Sequence, residues 1–271
     1  MSLPPVTPEA DDPYLALSAQ ALRAELWRRD QQAAAQTAAH EEFLRAVSHD
    51  LRAPLRHITS YGPLVRELLE EAGLAGEALQ EAQSFLGTMD RSARRMGGML
   101  DALLALAQIA RAPLHPQPVD LGGLLEDVRR TLAPAAGARA VEWLWAPDLP
   151  RVQADPALLR QLFTELLANA LKFTRGREPA QIRVTGARLA EGRTTLRVQD
   201  NGVGFNPAQS QGLFGLFQRL HREGEFEGVG AGLARVQAIA QRHGAHVQAQ
   251  AVPGEGCTLT LDWPAAETAI E

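Results

Sequence analysis

The strongest constraint in this sequence is a spacing. From residue 82 to residue 107 the apolar positions Ala82, Leu86, Met89, Ala93, Met96, Leu100, Leu103 and Ala107 recur at intervals of 4, 3, 4, 3, 4, 3 and 4. That period is the seam of a coiled coil or a four-helix bundle. A similar, less regular stripe precedes it: Leu44, Val47, Leu51, Leu55, Ile58, Val65 and Leu68. Between the two, Glu71 to Glu77 carries Gly73 and Gly76 and reads as a hairpin turn. Two antiparallel helices bury little by themselves. Pairing two hairpins into a four-helix bundle buries both stripes, so the pattern predicts a homodimer. The competing arrangement packs this half on the remainder of its own chain.

The remainder has a different character. Pro113, Pro116 and Pro118 end the helical half, and from Asp120 to about Pro264 helical stretches alternate with β-branched stretches and glycine loops. This reads as an α/β domain. The expected organisation is a loose N-terminus (1–12), an N-terminal helix (13–40), a helical dimerisation region (41–112), a linker (113–119), an α/β domain (120–265) and a C-terminal tail (266–271). At 271 residues two domains fit. A net charge of −5 gives no nucleic-acid-binding surface. No apolar run reaches the ~20 residues of a membrane span, and Met1 to Ala10 has no basic flank or apolar stretch, so it is not expected to be a signal peptide. Cys257, the single cysteine, forms no internal disulfide, which makes a reducing, cytoplasmic setting the simple expectation.

One polar residue is singled out by the seam. His49 lies about 200° round the helix from Val47, at about 100° per residue, so it faces solvent in mid-helix. Asp50 is beside it, and Pro54 follows five residues later, where a kink is expected. An exposed neutral imidazole is a nucleophile, and an adjacent carboxylate holds its tautomer. His57 is similarly exposed, so helix geometry by itself does not choose between them.

The α/β half carries four clusters. In Glu165–Thr174, Glu165, Asn169 and Lys172 share one helical face and Leu159, Leu162, Phe163, Leu166, Leu167 and Ala170 the other. A carboxylate, an amide and the only lysine of the chain on one stripe suit a Mg²⁺–polyphosphate. Asp200-Asn201-Gly202-Val203-Gly204 follows a strand, so Asp200 can accept from an exocyclic amine while the glycines admit a ligand. Gly228-Val229-Gly230-Ala231-Gly232-Leu233 opens a helix and makes an anion site from backbone N–H groups. Its G-x-G-x-G spacing is neither Walker nor Rossmann. Gly254-Glu255-Gly256-Cys257-Thr258 turns into a final strand.

Phe43-Leu44-Arg45-Ala46-Val47-Ser48-His49-Asp50-Leu51-Arg52-Ala53-Pro54-Leu55 resembles the H-box of sensor histidine kinases of two-component systems. The four later clusters resemble, in order, the N, G1, G2 and G3 boxes of the family's GHKL-type ATP-binding domain, and Leu213–His221 resembles its F-box. With Glu225-Phe226-Glu227-Gly228, this stretch is most similar to phytochrome-type kinases. The resemblance spans residues 40–263. It implies an α + α/β fold, an antiparallel helical hairpin forming a dimeric four-helix bundle followed by a GHKL (Bergerat) α/β sandwich. It implies an ATP-dependent kinase that phosphorylates His49, with Asp50 as general base, and passes the group to an Asp on a separate response regulator receiver domain. An upstream sensor protein is a further implied partner.

The resemblance assigns Asn169, with Glu165, to Mg²⁺ and Asp200 to the adenine amine. Gly202 and Gly204 shape the pocket floor, and Lys172 holds phosphates. Gly228, Gly230, Gly232 and Leu233 form the hinge of a lid (206–227), Phe217 lies at the nucleotide, and Thr258 supports adenine through a water.

The sequence departs from the family pattern at a few positions. Glu165 stands where Asn is frequent, and a carboxylate there serves GHKL hydrolases as a base. Val229 lacks the hydroxyl of the usual Thr, which predicts ATP binding weaker by about 0.5–1.5 kcal/mol. Ala53 stands where the phosphatase pattern has Thr or Asn, which predicts weak phosphatase activity. Two other functions fit parts of the pattern. A catalytically weak scaffold draws on Val229 and Ala231, and a GHKL ATPase without histidine phosphorylation draws on Glu165.

Overall fold

The structure, a computed structural model, describes residues 19–73, 76–189, 192–221 and 225–265. The expected loose N-terminus and the C-terminal tail lie outside the described residues. The chain divides into two compact units, residues 1–50 and 51–271.

The described part of the first unit is helical and belongs to α1 (Ala19–Glu71). Glu25 pairs there with Arg28 at 2.8 Å and Arg29 at 3.3 Å, the one-turn spacing that supports an exposed helix. Ser48 is buried, and His49 and Asp50 are exposed.

The second unit starts with the rest of α1. The helix runs on through Pro54, where a kink is expected, and through Pro63. A turn with Gly73 and Gly76 at positive φ leads into α2 (Glu77–Arg111). The predicted seam of α2 is divided in its burial. Ala93 and Leu100 are buried, whereas Met89 and Met96 stay half exposed. Ala102 and Ile109, off the predicted seam, are buried too.

The reason is a second face. The C-terminal part of α2 packs on α5 (Gly232–Arg242). A Cβ on Gly98 would stand 2.8 Å from Val229 Cγ1, so only a glycine lets the helix approach this loop. Arg242 donates to the carbonyls of Ile109 and Ala112 at 2.5 and 2.6 Å. The competing arrangement of the sequence reading is therefore realised along part of α2.

The expected linker is not free either. Gln117–Val119 form β1, paired antiparallel with β3 (Val152–Ala154). The three prolines end α2, but an extended proline-containing segment still fits an edge ladder.

A mixed sheet follows, with strand order β2-β4-β5-β7-β6. It comprises β2 (Val141–Trp145), β4 (Ala180–Arg188), β5 (Thr194–Asp200), β6 (His246–Val252) and β7 (Gly256–Trp263). β2 runs parallel to β4 and the other pairs are antiparallel. Burial alternates along β4 and β5, so one sheet face takes the core. That face meets α3 (Leu121–Ala136), α4 (Pro156–Phe173) and α5.

Helix α4 is the centre of this core. Leu158, Leu159, Leu162, Phe163, Leu166, Leu167 and Leu171 are all buried, at roughly 1.5–3 kcal/mol per large side chain. Asp155 caps it, accepting from Ala157 N at 3.0 Å and Leu158 N at 3.1 Å, with Pro156 at the first position. The same carboxylate accepts from His115 N at 3.2 Å. Burial pushes the Asp155 carboxyl up, but the donors on Leu158, His115 and Ala157 prevail and hold it below its ordinary value. His243 Nε2 accepts from Asp155 N at 3.0 Å, and its Nδ1 lies 2.8 Å from Ile239 O.

Candidate functional site

A cavity of about 410 Å³ opens in the second unit between α4, the end of β5, the start of β7 and the segment from Leu213 to Arg235. Its floor carries one carboxylate. Alternation along β5 turns Leu196, Val198 and Asp200 to the covered face, and Asp200 is 9% exposed. Gly202 N donates to Asp200 Oδ1 at 2.8 Å, and the Cys257 N–H also donates to this carboxylate. Burial outweighs both donors and raises Asp200 to about 6.

Two interlocked turns hold this floor. A Cβ on Gly204, at φ +62°, would stand 2.0 Å from Val252 O, and one on Gly256 would stand 1.9 Å from Asp200 O. No side chain fits either place. Gly204 lines the cavity. Gly202 is not among the lining residues and acts on the site through its N–H.

The wall contributed by α4 carries Glu165, Asn169 and Lys172, the stripe read from the sequence. The structure adds a partner. Glu165 Oε1 accepts from Arg235 Nε at 2.8 Å and lies 2.6 Å from Arg235 Nη2, with both side chains 21% exposed. The expected metal-shell carboxylate or base is thus already paired. Sequence reasoning missed Arg235. Its signal was a cation in the first turn of a helix, the end where positive charge is disfavoured.

Gly232, which starts α5, fits closely against this pair. A Cβ there would stand 2.8 Å from Glu165 Oε2 and 3.4 Å from Asn169 Nδ2. Ala231 caps α5 without a side-chain hydrogen bond, so the first N–H groups of α5 have no side-chain acceptor at the cavity wall.

Lys172 Nζ lies 3.5 Å from Glu227 O and 4.3 Å from the Phe173 ring centroid. Burial lowers its pKa. Arg175 pairs with both carboxylate oxygens of Glu227. Three rings close the same corner: Phe173 meets Phe226 at 4.9 Å and His221 at 5.3 Å, and those two meet at 5.2 Å. The described part of the expected lid therefore rests on the end of α4. His221, Phe226 and Arg219 line the cavity, and none of them was among the expected contacts.

Gly228, Gly230, Gly232 and Leu233 line the cavity. Phe217 and Thr258 are not among the lining residues. Phe217, at φ 64°, braces the loop through its N–H, which donates to Gly230 O at 2.8 Å. Cys257 and Leu259 line the cavity, and the strand pleat turns the residue between them to the other face. Burial, then the Asp200 charge, pushes the Cys257 thiol up to about 12.

In the first unit, His49 Nδ1 lies 3.2 Å from Asp50 Oδ1, with side chains 87% and 82% exposed. Nδ1–H donating to this carboxylate leaves Nε2 with its lone pair toward solvent. Among the described residues, no group of three or more His, Cys, Asp or Glu side chains is arranged to hold a metal. The cavity offers Asn169 and the Arg235-paired Glu165, a donor set that fits Mg²⁺ where phosphates and water complete the shell.

An apolar slot with a buried acceptor at its floor and a cation, an amide and helix N–H groups along its wall suits a planar donor-bearing ring with a polyphosphate tail. Comparisons with known proteins agree with this geometry. The family profile of histidine kinase-, DNA gyrase B- and HSP90-like ATPases matches residues 154–267. The profile of the His kinase A phospho-acceptor domain matches residues 39–112. The methanogenesis regulatory histidine kinase FilI of Methanothrix harundinacea is 31% identical over 245 residues, 89% of this chain and 26% of that protein. Cyanobacterial phytochrome A of a Nostoc species is 30% identical over 224 residues, 83% of this chain and 28% of that protein. The crystal structure of full-length ShkA in complex with AMPPNP matches with a TM-score of 0.58 at 28% identity, covering 83% of this chain and 46% of that one. The chain thus spans about a quarter to a third of the length of these two relatives. Residues 39–112 thus belong to the His kinase A phospho-acceptor domains and residues 154–267 to the histidine kinase-, DNA gyrase B- and HSP90-like ATPase domains, the pair that the histidine kinases this chain resembles would lead one to expect in this order.

Proposed function

We infer that the chain autophosphorylates His49 from ATP and passes the phosphoryl group to an Asp on a separate response regulator. The observation that carries this reading is the buried Asp200 acceptor in a cavity whose wall bears Asn169, Lys172 and the uncapped start of α5. It is joined by an exposed His49 whose Nδ1 faces Asp50. Adenine enters over Asp200, and its amine donates to the carboxylate. The α5 N–H groups and Lys172 take the phosphates. Asn169, with Glu165 beside it, would hold Mg²⁺, which supplies neutralisation of the phosphate charge.

His49 Nε2 then attacks the terminal phosphorus. The N–P bond forms as the bond to the ADP oxygen breaks, and the Nδ1 proton stays shared with Asp50. Catalysis in this scheme is mainly positioning and charge neutralisation. The Glu165–Arg235 pair disfavours the ATPase reading, because Glu165 Oε1 is already taken by the guanidinium and is not free to orient a water. The half-exposed Met89 and Met96 and the exposed Leu64 and Leu68 suit a second copy of the hairpin, which supports the dimer. Among the described residues no helix is long and apolar enough to cross a membrane.

Incubation with labelled ATP and Mg²⁺ tests the reading. Acid-labile label on the native chain and none on His49→Gln is expected. Label on both would move the acceptor elsewhere, and no label on either, with ATP bound, would leave the scaffold.

A further inference from the structure

The sheet has a reverse face. Helices α3, α4 and α5 take the other side, and the pleat turns alternate residues of every strand away from them. Register sets Arg183, Gln199, Thr258 and Gln250 in one row of this face, across β4, β5, β7 and β6. Arg197 and Thr260 stand in the next row. Arg183, Arg197, Gln199 and Gln250 are exposed and the two threonines half-buried. Thr258, which does not line the cavity, belongs to this surface.

The charges of the face do not balance. Its strands bring two carboxylates to this side, Asp262 and Glu142, and both are engaged. Arg193 meets Asp262 through Nε at 3.1 Å and Nη2 at 2.8 Å. Gln181 Nε2 donates to Glu142 at 2.8 Å. Among the described residues, the guanidiniums of Arg183 and Arg197 have neither a hydrogen bond nor an ion pair. Arg183 stands opposite Gln199, two residues on from Arg197, so the two arginines are diagonal neighbours. Diagonal positions of an antiparallel pair lie about 7–8 Å apart. Two like charges therefore sit side by side while both acids of the face point elsewhere.

We propose that this face docks an extended acidic segment of a protein partner, whose carboxylates two residues apart engage Arg183 and Arg197. Side chains two apart in an extended chain share one side and lie about 6.5–7 Å from each other, which matches the diagonal. A guanidinium fork takes a carboxylate through two hydrogen bonds. Gln199, Thr258 and Thr260 offer donors and acceptors to the backbone of the segment. A nucleic-acid strand suits the face less. It carries a charge at every nucleotide, would run past Asp262 and Glu142, and would meet a chain of net charge −5. The proposal does not rest on the nucleotide reading above.

Fluorescence anisotropy of the full chain with a labelled, end-capped peptide of alternating Glu and Thr, at low salt, tests the face. Submillimolar binding to the native chain is expected. A peptide with the same number of glutamates at every third position is expected to bind at least about threefold more weakly. Arg183→Gln and Arg197→Gln are each expected to cost about threefold, and both together about tenfold. Both side chains are exposed, and an unchanged urea midpoint verifies the fold of each variant.

No binding up to several millimolar would overturn the proposal, as would equal binding by the native chain and the double variant. Displacement by a non-hydrolysable ATP analogue would place the peptide at the cations of the cavity and overturn it too. An oligonucleotide that binds more tightly than the peptide, through the same two arginines, would replace the acidic segment as occupant. A change in sedimentation on Arg183→Gln with Arg197→Gln would hand the face to a second copy of the chain. Peptide binding by a chain that takes up no nucleotide would sink the proposed function and leave this face standing.

Discussion

Replacing Asp200 by Asn separates the cost of the buried carboxylate from its use. In the folded chain burial lifts this carboxyl from 3.8 to about 6. The rise is about two pH units, each worth about 1.4 kcal/mol, so the ionised group costs roughly 3 kcal/mol of stability at neutral pH. The sign follows from proton counts. Between about pH 4 and pH 6 the folded state holds this proton and the unfolded state has lost it, so stability falls as pH rises through that window. Below pH 4 both states are protonated and the cost vanishes.

Asn escapes this titration. It loses one acceptor facing the Gly202 and Cys257 N–H groups, at about 1–3 kcal/mol, and that loss does not depend on pH. The stability of Asp200→Asn relative to the native chain should therefore climb by up to about 3 kcal/mol between pH 4 and pH 7.5. Urea unfolding followed by tryptophan fluorescence reads it, since Trp143, Trp145 and Trp263 all pack in or against this core. Nucleotide affinity should fall at least about tenfold at pH 7.5, as a charged acceptor is lost. A stability difference that stays flat across the pH range would refute the assignment of this cost to Asp200.

Gly204→Ala, with its Cβ 2.0 Å from Val252 O at φ +62°, should cost at least about 2 kcal/mol from left-handed strain and the clash together; an unchanged urea midpoint would contradict it. Arg235→Ala strands Glu165 among α4 and α5 and should cost about 1–3 kcal/mol. Adding Glu165→Gln should recover part of this, and a double-mutant cycle with no coupling would dismiss the pair. Arg242→Ala removes donors from the Ile109 and Ala112 carbonyls and should cost about 2–4 kcal/mol, with limited proteolysis cutting faster between residues 109 and 119. Arg175→Ala releases Glu227 and should speed proteolysis of the 220–228 segment more than it lowers Tm, because an exposed ion pair contributes little to global stability.

Helical periodicity made part of this legible. The α4 stripe of Glu165, Asn169 and Lys172, its apolar opposite face and the caps around it follow from a 3.6-residue period, and the structure places them accordingly. Asp200 was legible because a strand that ends in Asp-x-Gly-x-Gly has few ways to turn. Thr258 was not. Which face a β7 residue takes depends on where Gly256 enters the pleat, and that is set by its contact with Asp200 O, far away in sequence.

Arg235 and the Phe173–His221–Phe226 contact were hidden for the same reason. Each becomes a site feature only when α4, α5 and the intervening loop meet, and no local period encodes that meeting. The period of α2 showed one apolar stripe, on which Met89 and Met96 stay half exposed, and it did not show the face with Ala102 and Ile109 that is buried.

The anchoring of residues 109–119 has a consequence for where this molecule can be cut and where it can swivel. Ile109 is socketed in the core, Arg242 grips two carbonyls at the end of α2, and His115 N is tied to Asp155. β1 is laddered to β3. A freestanding catalytic fragment that starts at Pro113 would forfeit the socket plug and leave a guanidinium without its two acceptors. Excision therefore belongs about two helical turns upstream of Ile109, inside α2. The same ties make the last turns of α2 a stub of the catalytic body. Rotation of that body against the hairpin has to be taken up higher along the helix, and Gly97-Gly98, two residues without side chains in mid-helix, is its weakest shaft section.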